Sequence, residues 1–234
     1  MEQERLKEIR RAERESHLEV YESQALYAAG SWLAKPVKTV QELIPLFENG
    51  REFRALDLGC GVGRNSIALA RSIENCTVDC VDILPFAIEK LRENAAQHQV
   101  AEKIRGIAQP IDDYRIEENG YDLILGVSAL EHMDSEQSFV RKLEEIRRGL
   151  RGNGVFCLIV NSNVAERDAA TGEVLPPQFE VNLPTACMLE ILEEIFAGWE
   201  VLKHSVVHQS YQIPRGSRTA ELDTDVVTWV VRRK

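Results

Sequence analysis

Residues 55–70 read ALDLGCGVGRNSIALA, an apolar run that enters three alternating glycines and leaves at once as a helix. A chain carrying this feature is committed to a strand–turn–helix unit. Gly59, Gly61 and Gly63 leave no Cβ between the main chain and a molecule that approaches it. The first N–H groups of the helix have no partners within it, so they face the same turn as donors for a ligand's polar end.

The rest of the chain repeats the theme. Apolar strand-like runs are predicted at about 53–58, 76–82, 103–108, 121–127 and 153–161, with helices between them at about 63–73, 84–98 and 135–150. In the last of these helices Phe139, Val140, Leu143, Ile146 and Leu150 share a face, and Asp134 and Gln137 stand at capping-box spacing before it. Strands alternating with helices imply a parallel sheet with right-handed crossovers. The C-terminal third changes character. A helix is expected at about 185–197, opened by Pro184-Thr185 and closed near Gly198, and two strand runs follow at about 199–208 and 220–232 with no helix between them. Such a pair closes the sheet antiparallel. Residues 162–183, with Thr171-Gly172 and Pro176-Pro177, read as a long irregular connection of the kind that often covers a substrate.

At the other end, residues 1 to about 29 interleave acids and bases at helical spacing, with a broken apolar stripe through Leu6, Ile9, Leu18, Tyr21, Ala25 and Leu26. Gly30 and Pro36 interrupt it, and Val40, Leu43, Ile44, Leu46 and Phe47 predict a short helix before Asn49-Gly50. The division expected is a helical arm or lid over 1–50 and one catalytic-type α/β domain over 51–234.

Four sites fall at the carboxyl ends of successive strands, where open α/β sheets bind their ligands. The first is the glycine turn. A dinucleotide fingerprint would place glycine at the position Arg64 occupies, and Asp57 before the turn suits an ammonium-bearing ligand better than a phosphate. The second is Asp82, ending the run Val78-Asp79-Cys80-Val81-Asp82-Ile83, where a carboxylate can accept both hydroxyls of a ribose. The third is the stretch Ile107 to Tyr114, which would meet an adenine edge, and the fourth is Tyr121 to His132.

Together these motifs resemble the class I S-adenosylmethionine-dependent methyltransferases, over about residues 40–234: LDLGCGVGR is similar to the family's glycine motif, CVDI to its acidic ribose motif and YDLILGVSALEHM to its fourth-strand motif. Trp32 to Pro36, Ala197 to Glu200 and the Arg-Arg-Lys terminus resemble the small-molecule branch typified by tellurite-resistance methyltransferases. The resemblance implies an α/β, Rossmann-like, doubly wound seven-stranded sheet with an antiparallel last strand and helices on both faces. It implies S-adenosylmethionine as cofactor and S-adenosylhomocysteine as product. It places Gly59, Gly61 and Gly63 along the cofactor, Asp57 near its methionine part, Asp82 and Ile83 at the ribose, Gln109 and Ile111 at the adenine, and Val127 at the end of the fourth strand. Gln109 departs from the family pattern, in which many relatives have Asp. An amide oxygen still accepts from the adenine amino group, while Pro110 has no N–H and shifts any backbone donor to Ile111.

Methyl transfer from a sulfonium is an in-line displacement, so a protein contributes chiefly positioning and desolvation, and a base only where the acceptor must lose a proton. His132, just past the fourth strand, is the candidate base, with a packing role as its alternative. His204 and His208 share a strand face and read as structural or partner-facing. By family analogy Tyr21, Tyr27 and Trp32 would lid the pocket. The acceptor loop reads VSALEH, not the Asn/Asp-Pro-Pro-aromatic motif that handles planar amino groups. With 28 basic against 38 acidic residues, the net charge of −10 repels a phosphate backbone. A small-molecule acceptor is therefore expected and a nucleic-acid partner is disfavoured. A cofactor-binding protein that has lost transfer is the alternative reading, and an NAD-dependent oxidoreductase is opposed by Arg64 and Asp57. The five cysteines have no zinc-like spacing, predict no metal site and read as buried free thiols suited to a reducing cytoplasm. No run approaches the ~18–20 apolar residues of a membrane span, and the charged N-terminus does not resemble a signal peptide. Monomer and homodimer both remain open.

Overall fold

The parallel part of the sheet is ordered by burial. In the computed structural model, which describes residues 9–11, 18, 20–47, 50–216 and 218–234, strand β1 (Phe53–Leu58) lies between β2 (Cys76–Asp82) and β4 (Tyr121–Val127). Every residue of β4 is buried, and only Arg54 in β1 is not, which is why both read as near-continuous apolar runs. Beyond them stand β3 (Ile104–Ala108) on one side and β5 (Leu150–Asp168) on the other. The sheet continues with β8 (Arg218–Arg232), antiparallel to β5, and ends at β7 (Glu200–Arg215), antiparallel to β8. The full order is β3-β2-β1-β4-β5-β8-β7.

Alternate residues of β1 feed two cores. Phe53 and Ala55 face α1 (Lys38–Leu43), α2 (Ser66–Ser72) and α3 (Pro85–Gln97), through Val40, Ile67, Leu69, Ile88 and Leu91. Leu56 and Leu58 face α4 (Glu136–Gly149) and α5 (Thr185–Ile195), through Phe139, Leu143, Ile146, Met188 and Leu192. Helices thus cover both faces, as expected for a doubly wound α/β sheet with an antiparallel close.

The seven strands of that order are the seven expected, and a two-residue β6 (Val174–Leu175) pairs with β5 beside them. Other expectations are corrected. Residues 162–168 are not irregular. They continue β5, whose pairing with β8 runs out to Asp168 opposite Ala220, and Gly172 (φ 73°) turns the chain back. Glu166, buried in this extension, takes a two-pronged bond from Arg215 (2.9 and 3.0 Å) and another from the Gln178 N–H (2.9 Å), so the return segment is tied to the long strands. Cys60, Cys76, Cys80 and Cys157 are buried as expected, but Cys187 is exposed, since Met188 and Leu192 take the inward face of α5.

Most of the arm expected over 1–29 lies outside the described residues. Its described parts are helical at 9–11, 18 and 20–23, with Ile9 and Tyr21 buried. The short helix expected before Asn49-Gly50 is α1 with a 3-10 turn over Ile44–Leu46; Asn49 itself is outside the described residues. Among the described residues no helix is long and apolar enough to cross a membrane.

The capping box of α4 sits one residue later than its spacing predicted. Ser135, not Asp134, is the N-cap: its hydroxyl accepts from the Ser138 N–H (3.2 Å), while the Ser135 N–H donates to the Ser138 hydroxyl (2.9 Å). The polar interaction at the cap is local, so Ser135→Ala should lower unfolding stability by about 1 kcal/mol, read as a lower denaturant midpoint at unchanged slope.

Candidate active site

The glycine turn is built on the end of β2. Gly59 and Cys60 donate their N–H groups to the Val81 carbonyl (2.8 and 3.0 Å), and Gly61 donates to Asp82 Oδ2 (2.9 Å). The other oxygen of Asp82 accepts from the Leu84 N–H (2.9 Å), at the entry to α3. One carboxylate therefore fixes both the turn after β1 and the start of the helix after β2. The glycines adopt left-handed conformations for close approach. A Cβ on Gly59 would stand 2.2 Å from that of Ala129, in the loop after β4. A Cβ on Gly63 would stand 2.4 Å from Leu91 Cδ1, in α3. Over Gly61 lies the Tyr21 hydroxyl, 2.7 Å from where a Cβ would be, so part of the N-terminal arm covers the turn.

Beside the turn opens a cavity of about 290 Å³. Of the residues expected at a cofactor or acceptor, Gly59, Asp82, Ile83, Ile111 and His132 line it. Ile83 is 45% exposed, unusual for an isoleucine and consistent with a side chain presented to the opening. The others lie behind the wall. Asp57 is buried beneath the turn and accepts from the Ser66 hydroxyl. Gly61 and Gly63 shape the turn from behind. The Gln109 N–H donates to the Asp82 carbonyl (2.9 Å), while its neighbours Pro110 and Ile111 reach the cavity. The Val127 side chain joins the core with Leu125, and the next residue, Ser128, lines the opening in a left-handed conformation (φ 49°).

Asp112 and Ser128, within the third and fourth strand-end stretches, also line the cavity, as do Arg10 from the arm and Glu180 from the segment 162–183, none of them named individually from the sequence. Of the three suggested lid aromatics only Tyr21 lines it. Tyr27 donates to the Arg64 carbonyl (2.8 Å), and Arg64 lies over the Trp32 ring (4.9 Å). Arg64, the residue that breaks the dinucleotide pattern, thus fastens the segment before α1 to the turn. His204 packs edge-on against Trp229 (5.0 Å) and His208 bonds Asp225 (3.1 Å), both away from the cavity.

At the far end of the opening the ring of His132 stacks on Phe179 (5.2 Å), and its Nδ1 lies 2.9 Å from Glu180 Oε2. Glu180 comes from the segment returning from β6, its side chain wholly buried. Arg10 pairs with Asp134 and stands 3.7 Å from Glu180 Oε1. Behind His132, Glu131 Oε1 accepts from the Asn161 backbone (3.1 Å) and amide side chain (2.7 Å). Burial pushes the Glu131 carboxyl above the usual range. Among the described residues His, Cys, Asp and Glu form no cluster suited to a metal ion.

The glycine turn, the carboxylate ending β2 and the strands that carry them fall within a stretch that this chain shares with known proteins. Residues 55–154 match the model of a methyltransferase domain. Over that span the chain is similar to S-adenosylmethionine-dependent methyltransferases. A tRNA1(Val) (adenine(37)-N6)-methyltransferase of Aeromonas hydrophila is 34% identical over 142 residues, 59% of this chain and 55% of that protein. A ribosomal protein L11 methyltransferase of Trichlorobacter lovleyi is 31% identical over 144 residues, 60% of this chain and 43% of that protein. The chain thus spans about half the length of these two curated relatives. Among solved structures, TehB from Haemophilus influenzae superposes with a TM-score of 0.62 at 19% identity, covering 84% of this chain and 62% of its own, a likeness of fold.

Asp57 gives the site a pH signature. Burial raises its carboxyl from 3.8 to about 6, the Ser66 hydrogen bond opposing the rise. Between these values the native methyltransferase domain holds a proton that the unfolded chain has released, so this group's contribution to stability falls as pH rises from about 4 to about 6 and is constant above. The difference in unfolding free energy between the native sequence and Asp57→Asn should therefore change by about 2–3 kcal/mol across that interval, followed by denaturant titrations at each pH. A pH-independent difference would place the Asp57 carboxyl at its ordinary value.

Proposed function

We propose that this chain is a methyltransferase that moves the methyl group of S-adenosylmethionine to a small-molecule acceptor. The observation that carries the reading is the Asp82 carboxylate, which lines the same cavity as Gly59 and Ile111 while its two oxygens anchor Gly61 and Leu84. An ionised carboxylate has about four lone-pair sites, so one that bonds backbone N–H groups can also accept from a ribose. Ile83, Pro110 and Ile111 offer apolar walls for a purine, and Gly59 and Ser128 border the passage to His132. Bound there, the cofactor supplies a methyl group on an already activated sulfonium. The protein's share is to hold the two reactants in line and keep water out. The net charge of −10 supports a small molecule over a nucleic acid, and four buried free thiols suit a reducing cytoplasm.

Calorimetric titration with S-adenosylmethionine, paired with S-adenosylhomocysteine release over a metabolite panel, tests the reading. Saturable binding and turnover are expected, and Asp82→Ala should weaken binding by about 1–3 kcal/mol. Unchanged binding in that variant removes Asp82 from the site. Tight binding with every acceptor inert would favour a silent cofactor-binding protein instead.

A further inference from the structure

The sheet ends on β7, and among the described residues that strand pairs with β8 alone; no other backbone hydrogen bond reaches residues 200–213. An edge of this kind offers a row of N–H and C=O groups to any strand that meets it. Proteins ordinarily blunt such edges with charged side chains, proline, bulges or a short strand. In β7 those devices stand only at the ends. The pairing with β8 shifts between Val201 and Lys203, and Pro214 lies beside the hairpin turn. Between them residues 204–213, His-Ser-Val-Val-His-Gln-Ser-Tyr-Gln-Ile, hold no acid, lysine or arginine, in a chain that is 28% charged. In β4 an uncharged run reflects burial, but most of this one is exposed. Four of the eight large hydrophobic residues that stand exposed among the described residues are on this strand: Val201, Val206, Val207 and Tyr211.

The edge is also complementary to itself. Two antiparallel strands related by a two-fold axis normal to the sheet pair residues of equal parity, since opposite partners point to the same face. With Val207 on the axis it faces its own copy, Ser205 faces Gln209, Lys203 faces Tyr211, and on the other face Val206 meets His208. No like charges meet anywhere along the run. The Lys203 ammonium is already compensated by Glu42 (2.7 Å). Val207 (50% exposed) and Tyr211 (41% exposed) would be covered together, and apolar cross-strand pairs of this kind stabilise a sheet. The net charge of −10 sets two copies against one another at large, which confines any contact between them to uncharged surface.

We propose that two copies of this chain associate by antiparallel pairing of their β7 edges about Val207, joining two sheets into one. β7 stands three places from β4 in the sheet order and contributes nothing to the cavity, so each copy keeps its own site.

Sedimentation velocity of the full chain over a range of concentrations tests the proposal. A monomer–dimer equilibrium is expected. Val207→Lys, which sets two ammonium groups opposite each other on the axis, should shift it to monomer with the far-ultraviolet spectrum unchanged. A second measurement stands independently of that variant's folding. With Cys187→Ser in every sample to remove the exposed thiol, Val207→Cys and Tyr211→Cys are oxidised with copper–phenanthroline in air. The axial pair would lie about 5 Å apart between Cβ atoms, so Val207→Cys should give a covalent dimer. The Tyr211→Cys thiols would lie eight residues apart along the paired strands, about 27 Å, and should not link. A chain that stays monomeric at every concentration overturns the proposal and leaves the edge to a strand of another protein. A dimer that survives Val207→Lys, or that links through Tyr211→Cys and not through Val207→Cys, overturns it as well.

Discussion

The site depends on one carboxylate. Asp82 ends β2 with both oxygens engaged by backbone N–H groups, Gly61 from the turn after β1 and Leu84 at the mouth of α3. The two loops of a doubly wound sheet that must face a common ligand are thereby set relative to each other before any ligand arrives. Hydrogen bonds to an ionised acceptor are about twice as strong as neutral ones, which suits them to hold an irregular turn. The glycines serve the same end. Gly59 admits the loop carrying Ala129, and Gly63 admits α3, so the turn is compressed from two sides and its remaining open side is the cavity.

The two ends of the sheet are treated differently. Near the start of β1, Arg54 bridges Asp79 (2.9 Å) and Glu117 (2.6 Å) and lies over the Tyr121 ring, while the Tyr121 hydroxyl bonds both Asp79 (2.8 Å) and Tyr114 (2.9 Å). That network is closed, as buried polar groups ordinarily are. At the carboxyl ends of the strands it is not. Of the buried side-chain oxygens without a hydrogen-bond partner among the described residues, both belong to carboxylates flanking His132, Glu131 and Glu180. Polar groups left unsatisfied in this way are costly, and they gather where a protein recognises something else.

Much of this was legible in the sequence, for physical reasons that also explain what was not. Strands β1, β2 and β4 match their expected spans because burial on both faces leaves a continuous apolar run, and Asp82 stood out as an acid ending such a run. Ile83, Ile111 and His132 follow from strand-end logic and do line the opening. Residues 162–168 looked irregular because their strand character comes from pairing with β8, some fifty or more positions away, and not from their own pattern. Glu180 and Arg10 reach the wall only through that long-range fold, so no local spacing marks them. Ser135 displaced Asp134 as cap by one residue, within the ordinary imprecision of helix ends.

The cavity thus combines one side lined by Asp82, Ile83 and Ile111 with a wall that carries His132 and Glu180. The central claim is that one molecule spans both. A crystal structure of the full chain with S-adenosylhomocysteine tests it most directly. The account predicts ribose hydroxyls on the Asp82 carboxylate, the purine against Ile83 and Ile111, and the sulfur turned toward His132. A nucleoside bound elsewhere, or one whose sulfur faces away from His132, would contradict it.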